Sequence, residues 1–154
     1  MISSNPFQIL QPAERWAPAQ SQLEAFRDAY EKLLPPLVHK IRLAVTDWRE
    51  SLYKGASETT RSLLNFWFNK EHIVSSGEFR FFFSQREAVE SIIYLYEVAN
   101  ARDKYELMRF DASGRISAGM FEESWTRYVV KMATGSGKTK VMGLTLVWSY
   151  FHKL

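Results

Sequence analysis

The chain has no cysteine, so a disulfide scaffold, a thiolate zinc site and a cysteine nucleophile are all excluded. Histidine is nearly as scarce. The 3 His residues, His39, His72 and His152, lie far apart in sequence, which argues against a His-rich metal site. No run of eighteen apolar residues occurs and no apolar signal segment opens the chain, so no membrane partner and a cytoplasmic location are expected. Acid is unevenly spread. The last acidic residue is Glu123, and residues 124–154 hold Arg127, Lys131, Lys138, Lys140 and Lys153 with no Asp or Glu. The sequence does have bulk: 154 residues with 11 Phe, 7 Tyr and 5 Trp, and 46% hydrophobic against 24% charged residues. That is the profile of a folded chain large enough for a modest core. A net charge of +3 permits an anionic partner without demanding one.

Three regions follow from the patterning. Residues 1–20 contain Pro6, Pro12 and Pro18 and read as an irregular arm. Residues 21–74 read as a helical unit. Its first helix carries Leu23, Phe26, Tyr30, Leu33 and Leu34 and is stopped by Pro35-Pro36. Its second runs from Leu37 to Tyr53 with Gly55 as the stop, and its third from Glu58 to Asn69 with Ser57 as cap. Residues 75–154 change character. Ser75-Ser76-Gly77 is a break, and Ser84 and Glu87 fit the N-cap and N3 positions of a capping box that opens a further helix. A hairpin is expected near Asp111–Gly114, and residues 127–132 predict a strand. A last helix begins at Gly137.

Between that strand and that helix lies Ala133-Thr134-Gly135-Ser136-Gly137-Lys138-Thr139. This is where a phosphate-binding loop must sit. Gly135 and Gly137 allow a tight turn and close backbone approach, and the helix aims its positive end at the same anion. Lys138 supplies a charge for the β- and γ-phosphates, and Thr139 a hydroxyl for Mg²⁺. The cofactors expected are therefore ATP and Mg²⁺, with residues 134–139 on the phosphates. Met132 stands where the strict motif has its first glycine.

The form with Ala-Thr-Gly-x-Gly-Lys-Thr resembles motif I of superfamily 2 helicases and translocases. Upstream, Arg80-Phe81-Phe82-Phe83-Ser84-Gln85-Arg86-Glu87 is similar to the Q-motif region of the same superfamily. The resemblance implies that Gln85 reads adenine with its amide and that Phe83, or Phe82 or Arg80, stacks on the base. The other reading makes Gln85 the first residue of a capped helix and the phenylalanines core. Together the two segments resemble the start of the motor in the Res subunit of type III restriction enzymes. That implies an α/β fold: a mainly helical N-terminal region followed by the incomplete start of a RecA-like parallel sheet. It also implies ATP-driven movement on DNA and a methyltransferase or specificity subunit as partner.

Hydrolysis needs an acidic pair on a later strand, and no Asp-Glu dipeptide occurs in the chain. The chain thus reads as an N-terminal piece of an ATP-dependent DNA helicase or translocase, one that binds ATP but is inactive alone. The alternative is a non-catalytic helical binding module with a vestigial phosphate loop.

Overall fold

The computed structural model describes residues 5–11, 36–111, 113–114, 116–120 and 127–153. The expected helix over residues 21–34 lies outside them. Among the described residues, helices α1 (Val38–Glu50) and α2 (Glu58–Asn69) precede a hairpin of β1 (His72–Val74) and β2 (Gly77–Phe79). Helix α3 (Phe83–Ile93) continues through a π-turn (Tyr94–Val98), and the short α4 (Lys104–Met108), a 3-10 turn (Ala118–Met120) and α5 (Lys138–His152) complete the order.

Helix α1 ends at Glu50, three residues before the expected end at Tyr53. Leu52 and Tyr53 both take left-handed backbone, at φ 56° and 60°. For residues with a Cβ this costs about 1–2 kcal/mol each. The compensation is tertiary: the turn carries the Tyr53 hydroxyl to Glu90 at 2.6 Å and sets its ring edge-on to Trp48 at 4.9 Å. Helix α2 has the expected bounds. Ser57 Oγ accepts the Thr60 N–H at 3.2 Å, a cap that works locally and contributes about 1 kcal/mol.

Helix α3 begins earlier than expected. Phe82 is its N-cap and Gln85 its N3 residue, because Gln85 Oε1 takes the Phe82 N–H at 3.0 Å. Ser84 is therefore inside the helix, and Glu87 instead meets Arg42 at 3.5 Å. The antiparallel hairpin sits at 72–79, with Val74 opposite Gly77 across the Ser75-Ser76 turn. Among the described residues no strands pair around Asp111–Gly114. There the Asp111 carboxylate accepts N–H bonds from Ile116 and Ser113, which hold its pKa down at about 2.

Residues 127–133 carry no regular secondary structure and pair with no strand among the described residues. No start of a parallel sheet is present among the described residues. A strand's backbone needs a neighbour, and the only sheet described is the hairpin. Among the described residues, no helix is long and apolar enough to cross a membrane.

The core lies where α1, α2, α3 and α5 meet. Trp48, Leu64, Trp67, Val89, Ile93, Val141 and Trp148 form one buried cluster. A smaller one joins Leu95, Ala101, Leu107 and Phe110 to α1. One hydroxyl stitches three helical segments together. Thr60 Oγ1 accepts from Trp148 Nε1 at 2.9 Å and donates to Glu97 at 2.6 Å. Burial alone would raise the pKa of Glu97, but bonds from Thr60 and Ser57 and the nearby His152 more than offset it, so it lies below its usual 4.5. A carboxylate depressed in the fold binds its proton more tightly in the unfolded chain. Its stabilisation is present above that usual value and is lost as pH falls through the folded pKa. Glu97→Gln is therefore expected to lower the urea midpoint at about pH 7 and to change it much less at about pH 3. An equal loss at both would contradict the assignment.

Candidate phosphate-binding loop

The loop is built from local rules. Ser136 N–H closes a turn onto the Ala133 carbonyl at 3.3 Å, and Ser136 Oγ donates to the same oxygen at 2.7 Å. Gly135 and Gly137 have φ of 79° and 81°, left-handed conformations that a side chain disfavours. Gly137 is the N-cap of the 15-residue α5, so the helix's positive end opens directly onto the loop. Thr134, Gly135, Lys138 and Thr139 are exposed, and Ser136 and Gly137 are half-buried. The Lys138 ammonium curls back and donates to Ala133 O at 2.9 Å.

Gln85 comes to this loop from 51 positions upstream. It is 3% exposed, and its Nε2 donates to the Ser136 carbonyl at 2.9 Å while its Oε1 holds the start of α3. A Cβ at position 137 would overlap Gln85 Nε2 and lie 3.3 Å from its Cδ. Gly137 is thus required twice, by conformation and by the close approach of Gln85. The two motif segments picked out in the sequence are in direct contact.

Phe83 is placed differently. Its ring is buried at 7% exposure, in the core, with the Arg49 guanidinium 5.3 Å from its centroid. Phe82 is half-buried and tilts against Phe7 at 5.4 Å. The Phe83 N–H bonds Pro6 O at 2.8 Å, so part of the expected arm packs at the head of α3. Sequence patterning does not show this, since residues 5–11 carry no periodic signal.

Behind Gln85 lies a buried ionic knot. Glu90, fully buried, accepts from Arg49 Nε at 2.8 Å, from Arg86 Nε at 2.8 Å and from the Tyr53 hydroxyl at 2.6 Å. Arg86 also donates to Tyr53 at 2.8 Å. Burial lowers the Arg86 pKa, but Glu90 and Tyr53 outweigh it and the net shift is upward. Burial, then Glu90, push the Tyr53 phenol well above its usual range.

The 127–133 segment lies between two apolar grooves. A cavity of about 760 Å³ lies between Val130 and Met132 on one side and Val141, Met142 and Leu146 of α5 on the other. Among the described residues, no cluster of three or more His, Cys, Asp or Glu side chains could hold a metal ion. A divalent ion at the loop would need ligands from a bound phosphate beside Thr139.

The family described as type III restriction enzyme, Res subunit, matches residues 78–154. The chain belongs to this family. The match begins in β2 and takes in Gln85 and the whole of the glycine loop, whereas Arg49 and Tyr53, which brace Gln85's helix through Glu90, precede it. No curated protein and no solved structure matches the chain. Membership places the chain among helicase-like subunits of restriction systems.

Proposed function

We propose that this Res-family chain binds Mg·ATP through residues 134–139, as the nucleotide-entry part of a DNA-translocating restriction subunit. The observation that carries this is the Gln85 amide bonded to the Ser136 carbonyl against Gly137, at the N-terminus of a long helix. This clamp holds the loop backbone where its N–H groups and the helix end can meet an anion. Lys138 then leaves the Ala133 carbonyl for the β- and γ-phosphates. Thr139 Oγ1, together with phosphate oxygens, holds Mg²⁺.

Gln85 acts first as the brace of the loop. Its amide retains one further N–H and one further lone pair, the groups that adenine recognition uses. For stacking, the half-buried Phe82 is better disposed than the buried Phe83. Residues 124–154 contain no Asp or Glu, so the 154 residues are expected to bind nucleotide without turning it over. Arg127 and Lys131, in the segment that leads into the loop, are exposed and suit a phosphate backbone, in keeping with DNA as the substrate of the family. A methyltransferase or specificity subunit is the partner this reading implies.

The test is a Mg·ATP titration of the wild type and Lys138→Ala, with hydrolysis assayed with and without duplex DNA. Lys138→Ala is expected to weaken binding about tenfold or more, with no turnover in either protein. Equal affinities would favour the helical module with a vestigial loop. DNA-stimulated turnover would overturn the binding-only reading.

A further inference from the structure

The first turn of α5 contains two lysines and no acid, although a helix's positive end disfavours cations there. Lys138 has its reason in the phosphate reading. Lys140 has a different one: its Nζ lies 3.7 Å from the ring centroid of Phe79 and 6.0 Å from that of Phe81. Phe79 is the last residue of β2 and pairs with His72. Its ring stands edge-on to Phe81 at 4.9 Å, and Phe81 stands edge-on to Phe68 of α2 at 5.6 Å. A continuous set of aromatic faces therefore links the first turn of the loop helix to α2. The Lys140 N–H also bonds Gly137 O at 2.9 Å, so the same residue is tied to the loop's last glycine.

We infer that the β1–β2 hairpin is a positioning element for the glycine loop, acting through the cation–π contact of Phe79 with Lys140. Gln85 braces the loop at Ser136, and Phe79 braces it at the next turn. Val141 seats the next part of the helix in the core, and the Phe79 contact adds a fixed point in its first turn, beside the N–H groups of 137–139. Phe79 and Lys140 are positioning residues, and the benefit to phosphate binding rests on residues 134–139 being the phosphate loop. Leucine at 79 keeps the apolar bulk and removes the ring face; methionine at 140 keeps the stem and removes the charge.

Amide hydrogen exchange on the ligand-free chain tests this. Phe79→Leu and Lys140→Met should each speed exchange in residues 134–142 by roughly threefold to tenfold. The double variant should do no more than either single one, and Phe79→Tyr should restore the wild-type rate. Exchange at Leu64 and Val89 in the core should not change. Unchanged rates at 134–142, additive rises, or a rise spread equally over α2 and α3 would overturn the inference. Adding Mg·ATP separates the two claims. Protection of 134–139 in the wild type, reduced in both variants, supports both. No protection in the wild type sinks the phosphate reading, while the ligand-free rates still decide the role of the hairpin.

Discussion

Glu90→Gln is expected to cost about 3–5 kcal/mol of folding stability. The substitution is nearly isosteric, so the loss comes from charge rather than volume. Glu90 is fully buried, and the Arg49 and Arg86 side chains are only 7% and 14% exposed. Without the carboxylate two guanidinium groups stay in the interior with no counter-charge, and one of the two oxygens that accept from Arg49, Arg86 and Tyr53 becomes an NH2 facing donors. The exposed Arg80–Glu78 pair, at 3.8 Å, is the internal control, since breaking it should change stability by less than about 1 kcal/mol. Urea unfolding of Glu90→Gln and Glu78→Gln measures both. A loss below about 1 kcal/mol for Glu90→Gln would show that the knot contributes little. The consequence extends to the loop, because Glu90 holds α1 to the helix whose first turn carries Gln85.

Gly137→Ala is the second large effect, expected to cost about 1–3 kcal/mol. Two penalties combine. At φ 81° an alanine is strained whatever the space around it. Its Cβ also displaces Gln85 Nε2, and this 3%-exposed amide would then lose its bond to Ser136 O. The two penalties can be separated. In a Gln85→Ala background the steric part disappears, and the cost of Gly137→Ala should fall to the backbone strain alone, about 1 kcal/mol. A cost identical in both backgrounds would mean that Gln85 does not hold position 137.

What could be read from the sequence was local. The Ser57 cap and the bounds of α2 depend on residues within one turn of each other, and both stand as the spacing predicts. The same holds for the glycine loop and the start of α5 after it. Long-range competition explains the departures. Tyr53 ends α1 early because Glu90, 37 positions away, takes its hydroxyl. Gln85 outcompetes Ser84 and Glu87 for the start of α3 because its amide serves the cap and the loop together. The strand expected at 127–132 has the right residues, yet strand pairing is decided by a partner, and none lies beside it among the described residues. The 72–79 hairpin has strands of only three residues, too short for an alternating pattern to show. Of the candidate site, the glycine turn ahead of α5 was legible, but the bond from Gln85 to Ser136 was not. A side chain's partner 51 positions on leaves no periodicity to find.

The most direct test of the central claim follows the backbone amides of Gly135, Gly137, Lys138 and Thr139 by NMR while Mg·ATP is added. If residues 134–139 cradle the phosphates, these amides shift together along one saturable curve in the wild type. In Lys138→Ala the curve should move to about tenfold higher nucleotide or beyond. Amides at 135–139 that stay still while others move, or one curve shared by both proteins, would contradict it.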